Sequence, residues 1–122
     1  MNTILVLDDS PTMVMSLSRI LSKSGYAVET AANGKEGMDK LRAGMKPNLI
    51  LTDLNMPVMD GITFIKEVRK HIPTRFTPIV VLTTESVVGR QTEARSAGAS
   101  GWLTKPTQPD ELIKTMKQLL PA

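Results

Sequence analysis

Five polar residues sit where apolar runs stop. Thr3-Ile4-Leu5-Val6-Leu7 ends in Asp8-Asp9, and Leu49-Ile50-Leu51-Thr52 ends in Asp53. Pro78-Ile79-Val80-Val81-Leu82 arrives at Thr83, and Gly101-Trp102-Leu103-Thr104 leads into Lys105-Pro106. Short apolar runs of this kind read as strands buried on both faces of a parallel sheet. The carboxyl ends of such strands are where open α/β sheets bind ligands. Three carboxylates gathered on one rim repel one another by about 4 kcal/mol per pair at ~4 Å and an effective dielectric near 20. A hard divalent cation relieves that repulsion, and a donor set without Cys or His favours Mg²⁺ over zinc. Lys105 adds a movable ammonium and Thr83 a hydroxyl donor. Metal, ammonium and hydroxyl around one carboxylate suit a phosphoryl group with its three anionic oxygens. Asp53 is then the nucleophile, forming an acyl phosphate, with Mg²⁺ and Lys105 offsetting the charge on the group in transfer.

Five strand–helix repeats position these residues. The first strand covers about residues 3–8, and a helix follows with Ser10 as cap and Pro11 in its first turn. Met13, Leu17, Ile20 and Leu21 recur at helical spacing until Gly25. Residues 26–31 alternate as an edge-type strand, and Asn33-Gly34-Lys35-Glu36 opens the second helix with a capping-box pattern. The third strand ends at Asp53, and its helix carries Ile62, Ile65, Val68 and Ile72 and stops before Pro73. Residues 78–83 form the fourth strand, followed by a polar helix up to Gly98. The fifth strand spans 101–104. The last helix starts at Pro109-Asp110-Glu111, with acids where the helix dipole favours them, and turns Leu112, Ile113, Met116, Leu119 and Leu120 toward the sheet. Strict β–α alternation implies a parallel sheet covered by helices on both faces, with right-handed crossovers. All the carboxyl ends then share one rim.

The bulk properties restrict the function further. At 122 residues the chain reads as one domain, 1–122, able to bury about two-thirds of its unfolded surface. No apolar run approaches the ~20 residues of a membrane helix, and no signal peptide is evident. The absence of cysteine excludes thiolate and disulfide chemistry and fits a cytoplasmic location. Eight methionines against one tryptophan, one tyrosine and two phenylalanines imply a core filled partly by thioethers and, with few aromatics to expose, a monomer. A net charge of +3 could serve nucleic acid, but the basic residues are spread over four helices without a like-charge run or aromatic interleaving, so no nucleic-acid partner is expected. His71, the sole histidine, closes a basic helix and is read as solvated.

Asp8-Asp9-Ser10, the stretch Leu51-Thr52-Asp53-Leu54-Asn55-Met56-Pro57-Val58-Met59-Asp60-Gly61, Thr83-Thr84-Glu85, and Gly98-Ala99-Ser100-Gly101-Trp102-Leu103-Thr104-Lys105-Pro106 together resemble the receiver domain of bacterial two-component response regulators. The likeness is to the CheY-like, stand-alone chemotaxis members and covers essentially the whole chain. It implies a doubly wound (βα)5 flavodoxin-like fold with strand order 2-1-3-4-5, for which this family is a standard example. It also implies a signalling protein rather than an enzyme, with self-catalysed phosphorylation and dephosphorylation. Asp53 resembles the phosphoacceptor. Asp9, Asp53 and the backbone carbonyl of Asn55 resemble the Mg²⁺ ligands, with Asp8 acting largely through water. Lys105 resembles the lysine that pairs with the acceptor, Thr83 the switch hydroxyl and Trp102 the switch aromatic. Asn55 and Glu85 match positions that govern decay of the acyl phosphate, and Lys105-Pro106 matches a cis peptide. The implied partners are a histidine kinase of the CheA type and a target that docks on the fourth-helix, fifth-strand, fifth-helix face, such as the flagellar motor switch.

Taken singly, each residue has a plainer role. Asp8-Asp9-Ser10-Pro11 can cap a helix, Asp53 can make a turn, and Trp102 can simply pack. Trp102 also stands where tyrosine is usual, and Thr107 where phenylalanine is common, which alters the target-docking face. Alternatives are a phosphorelay intermediate, the receiver piece of a DNA-binding regulator, and, more remotely, a Mg²⁺-dependent aspartyl phosphatase. That last class places an acid two residues after its nucleophile, where this chain has Asn55.

Overall fold

In a computed structural model that describes residues 2–84 and 88–120, the chain alternates strand and helix throughout. The elements are β1 (Thr3–Leu7), α1 (Pro11–Lys23), β2 (Ala27–Ala31), α2 (Gly34–Arg42), β3 (Leu49–Thr52), α3 (Gly61–Lys70), a 3-10 turn (Ile72–Thr74), β4 (Ile79–Thr83), α4 (Val88–Ala97), β5 (Gly101–Thr104) and α5 (Pro109–Leu119). All strand pairs are parallel, in the order β2-β1-β3-β4-β5. The expected doubly wound fold is the observed one.

Alternation along each strand splits the core in two. Leu5, Leu7, Ile50, Ile79 and Val81 pack with Met38 and Leu41 of α2, Phe64, Ile65 and Val68 of α3, and Ala94 of α4. Ile4, Val6, Leu49, Leu51, Val80 and Leu82 face Leu17 and Leu21 of α1 and Leu112 and Met116 of α5. The central strands are thus apolar on both faces, as their unbroken runs of Val, Ile and Leu require. β2 lies at the edge, and only Ala31 of its residues is fully buried. The predicted caps form, Ser10 Oγ accepting from the Met13 amide and Asn33 Oδ1 from that of Glu36; Asp60, not anticipated as a cap, starts α3 by accepting from the Thr63 amide.

Two expectations fail at the end of α3. The spacing places Ile72 on the apolar face of the helix, yet the helix stops at Lys70 and Ile72 is 80% exposed. The cause is local, because Pro73 disfavours α geometry at the preceding residue and the chain turns into the 3-10 segment instead. His71, read as solvated, has its Nε2 buried with no hydrogen-bond partner among the described residues.

Candidate phosphoacceptor and metal site

Strand register brings the acids together. Leu7 lies opposite Thr52 in the β1–β3 pair, so Asp8 and Asp53 leave the sheet side by side. The amide of Asp53 donates to the Leu7 carbonyl at 3.0 Å and that of Asp8 to the Ala31 carbonyl at 3.2 Å, which fixes both backbones. On the other flank Thr83 lies opposite Thr104, and the Lys105 amide donates to the Thr83 carbonyl at 2.8 Å. Lys105 therefore emerges on the same rim. Its peptide bond to Pro106 is cis, as the sequence led us to expect.

The side chains converge accordingly. Lys105 Nζ donates to Asp8 Oδ2 at 2.7 Å and to Asp53 Oδ2 at 3.1 Å. Asp8 is 3% exposed and Asp53 8%, whereas Asp9 is open to solvent. One carboxylate oxygen from each of Asp8, Asp9 and Asp53 falls within 4.8 Å of the others. Backbone amides hold two of these acids in place. Asp53 Oδ1 accepts from Leu54 at 2.7 Å and from Asn55 at 3.4 Å, and Asp8 Oδ1 accepts from Ser10 at 2.9 Å. Burial pulls the Lys105 pKa down, but the hydrogen bonds and charges of Asp8 and Asp53 outweigh burial and leave it raised. The ammonium thus stays charged and neutralises part of the cluster. The donor set is all oxygen, acidic and preassembled, and it fits a hard divalent cation.

Asp8, Asp9, Asp53 and Lys105 meet in one place. Thr83 ends β4 fully buried. Asn55 is exposed beside the cluster. Trp102 is half-buried and packs on the α2–α3–α4 side of the sheet, next to a void of about 40 Å³ bounded by Ala94, Ala99 and Gly101. Glu85, the second decay-tuning candidate, lies outside the described residues. Lys105 pairs more closely with Asp8 than with Asp53, so Asp8 is a direct ion-pair partner as well as a candidate for metal water.

Three features of the site were not read from the sequence. Gly61 is required by a close approach: a Cβ there would lie 2.3 Å from the Asp53 carbonyl oxygen and 2.7 Å from the Leu54 Cα. The start of α3 is in this way pressed against the acceptor's own backbone. Val58 adopts φ +70 within a tight turn closed by the Met59 amide on the Pro57 carbonyl at 2.7 Å, a rare conformation for a β-branched residue. An open cleft of about 210 Å³ flanks Asp8 and Asp9, walled by Pro11, Val14, Ala31 and Glu36. Only the Met-Pro and Asp-Gly pairs hinted at such a loop, and neither specifies its strain.

Comparison with known proteins agrees with this geometry. Residues 4–117 match the response regulator receiver domain family. The chemotaxis protein CheY of Thermotoga maritima is 36% identical over 120 residues, covering 95% of each chain. The structure of the chemotaxis response regulator CheY4 of Vibrio cholerae superposes with a TM-score of 0.92 at 42% identity, covering 98% of this chain and 99% of that one. The receiver domain of the sensor histidine kinase PA1611 from Pseudomonas aeruginosa, solved with a magnesium ion coordinated in its active-site cleft, gives a TM-score of 0.88 at 27% identity, covering 99% of this chain and 98% of that one.

Proposed function

This chain belongs to the response regulator receiver domain family of two-component systems, and on that premise we propose that it is a phosphorylation switch with Asp53 as acceptor. The observation that carries the proposal is Lys105 bridging the carboxylates of Asp8 and Asp53, with Asp9 completing the acidic group. Nothing in folding requires so costly an assembly at three strand ends. An oxygen of Asp53 forms the new P–O bond while the P–N bond of a kinase phosphohistidine breaks and its electron pair returns to the imidazole. The backbone amides of Leu54 and Asn55 keep the carboxylate aimed, and Lys105 moves from Asp8 toward the arriving phosphoryl oxygens. The cleft beside Asp8 and Asp9 gives the donor a way in. Asp9, Asp53 and the Asn55 carbonyl would hold Mg²⁺, with Asp8 through water, and the ion would supply charge neutralisation.

The output lies on the α4–β5–α5 face. Thr83 Oγ1 is drawn to the phosphoryl group, and Trp102 responds on the neighbouring strand. The void beside Trp102 is about 40 Å³ and is walled in part by α4 residues Gln91, Ala94 and Arg95, so inward rotation of the indole would press on α4. The donor is a histidine kinase of the CheA type, the target is a motility or chemotaxis protein such as the flagellar motor switch, and the setting is cytoplasmic. Asn55 and Glu85 set the lifetime of the acyl phosphate, and the protein is a self-limiting signal carrier rather than an enzyme that turns over substrate. Trp102 fluorescence tests the reading. A change on adding Mg²⁺ and then beryllofluoride that disappears in Asp53→Asn supports it; an equal change in that variant refutes it.

A further inference from the structure

The segment after α3 lies at the rim opposite the acids, because it leads into the amino end of β4. Two of the four large apolar side chains that stand exposed among the described residues belong to it: Ile72 at 80% and Phe76 at 89%. Isolated exposed apolar residues are ordinary, whereas a pair on one short turn is not. The turn is also held rigid. Successive backbone bonds run from Thr74 to His71, Arg75 to Ile72, and Thr77 to Thr74, at 3.0, 3.2 and 3.1 Å. Thr74 is buried, its hydroxyl donating to the Val68 carbonyl. Arg69 reaches under the turn and donates from Nη1 to the carbonyls of Thr74, Arg75 and Thr77, and from Nε and Nη2 to that of Gly98.

With Arg69 and Thr74 anchoring its backbone from within, the turn presents Ile72 and Phe76 outward. The charges around them are lopsided. The Arg75 guanidinium lies 5.6 Å from the Phe76 ring centroid, and Lys66 and Lys70 are exposed on the last turns of α3. The one acid in residues 66–77, Glu67, is already paired with Arg42 at 3.3 Å and Lys70 at 3.6 Å. The patch therefore combines aromatic, aliphatic and arginine anchors, the residue types that dominate protein interfaces, with a segment, residues 66–77, in which four basic residues face one acid.

We propose that Ile72, Arg75 and Phe76 form a second docking surface, separate from the phosphorylation face, for an acidic segment of a partner protein that carries aromatic or aliphatic side chains. The anchors enter apolar contact, and the segment's carboxylates take the place of solvent around Lys66 and Arg75. The preformed turn spares the ordering cost that a mobile loop would incur on binding. Because the patch sits across the sheet from Asp53, docking here tethers the protein in either phosphorylation state.

The test is a nitrogen–proton NMR titration of the full chain with a random glutamate–tyrosine copolymer, with polyglutamate as control. Expected are shifts confined to residues 66–77, tighter binding of the copolymer than of polyglutamate, and loss of about tenfold or more in affinity in Phe76→Ser. Ile72→Ser repeats the test at an independent position, and at these exposures neither change disturbs the core. Acetyl phosphate labelling of Asp53 should be unchanged in both variants. Shifts centred elsewhere, equal affinity for the two polymers, or unaltered binding by both variants would overturn the proposal. So would binding to phosphatidylglycerol vesicles without binding to the copolymer, which would make the patch a membrane contact.

Discussion

Replacing Asp53 by Asn should make the metal-free protein more stable and the Mg²⁺-loaded protein relatively less so. In the metal-free cluster Asp53 gains about 5 kcal/mol from Lys105 at 3.1 Å, at an effective dielectric near 20. It loses about 3.5 kcal/mol to each of Asp8 and Asp9 at up to 4.8 Å by the same measure. Two repulsions against one attraction leave Asp53 unfavourable by about 2 kcal/mol, and solvent around the exposed Asp9 reduces this to about 1 kcal/mol. Asparagine keeps an oxygen to accept from the Leu54 amide, so little else is lost. Urea unfolding without metal should place Asp53→Asn about 1 kcal/mol above wild type. Mg²⁺ at about 100 times its dissociation constant stabilises wild type by ~2.7 kcal/mol, and the variant by much less, so the order reverses. A variant that is less stable without metal, or that gains as much from Mg²⁺, would refute this electrostatic account.

Other consequences can be checked with the same assays. Gly61→Ala forces a Cβ into the Asp53 and Leu54 backbone and should cost about 2–3 kcal/mol in urea unfolding, with weakened Mg²⁺ binding measured by calorimetry. Val58→Gly releases a left-handed β-branched residue and should stabilise by about 1 kcal/mol despite glycine's usual penalty; a lower urea midpoint would count against the strain. Lys105→Met should destabilise the metal-free protein by about 3 kcal/mol, because buried carboxylates lose their counter-charge. Since the folded-state Lys105 pKa is raised, its contribution is complete below the ordinary value of 10.5 and fades as pH climbs through the folded value. The gap between wild type and Lys105→Met in urea unfolding should therefore hold from pH 7 to 10 and narrow only at higher pH.

The parts of the structure legible in the sequence are those encoded locally. Unbroken apolar runs gave the central strands, and Ser10, Asn33 and the acids after Pro109 marked helix starts. The site was legible because each of its members closes a strand, and parallel register converts that pattern into proximity. What was missed depends on tertiary contact. Ile72 satisfies the helical spacing of Ile65 and Val68, and only Pro73 argues against it; the helix ends two residues earlier, at Lys70, and leaves it exposed. Arg69 looks like one more basic residue on α3, yet its guanidinium is bonded to four backbone carbonyls, and burial lowers its pKa. Scarce aromatics argued for little exposed apolar surface, but Phe64 is fully buried while Phe76 is 89% exposed. Composition alone cannot tell those two apart.

The most direct test of the central claim is the intact mass of the protein after incubation with acetyl phosphate and Mg²⁺, followed by peptide mapping. The account predicts one phosphoryl adduct, located on Asp53, dependent on the metal and absent from Asp53→Asn. No adduct on the wild-type chain, or an adduct that survives that substitution, would contradict it.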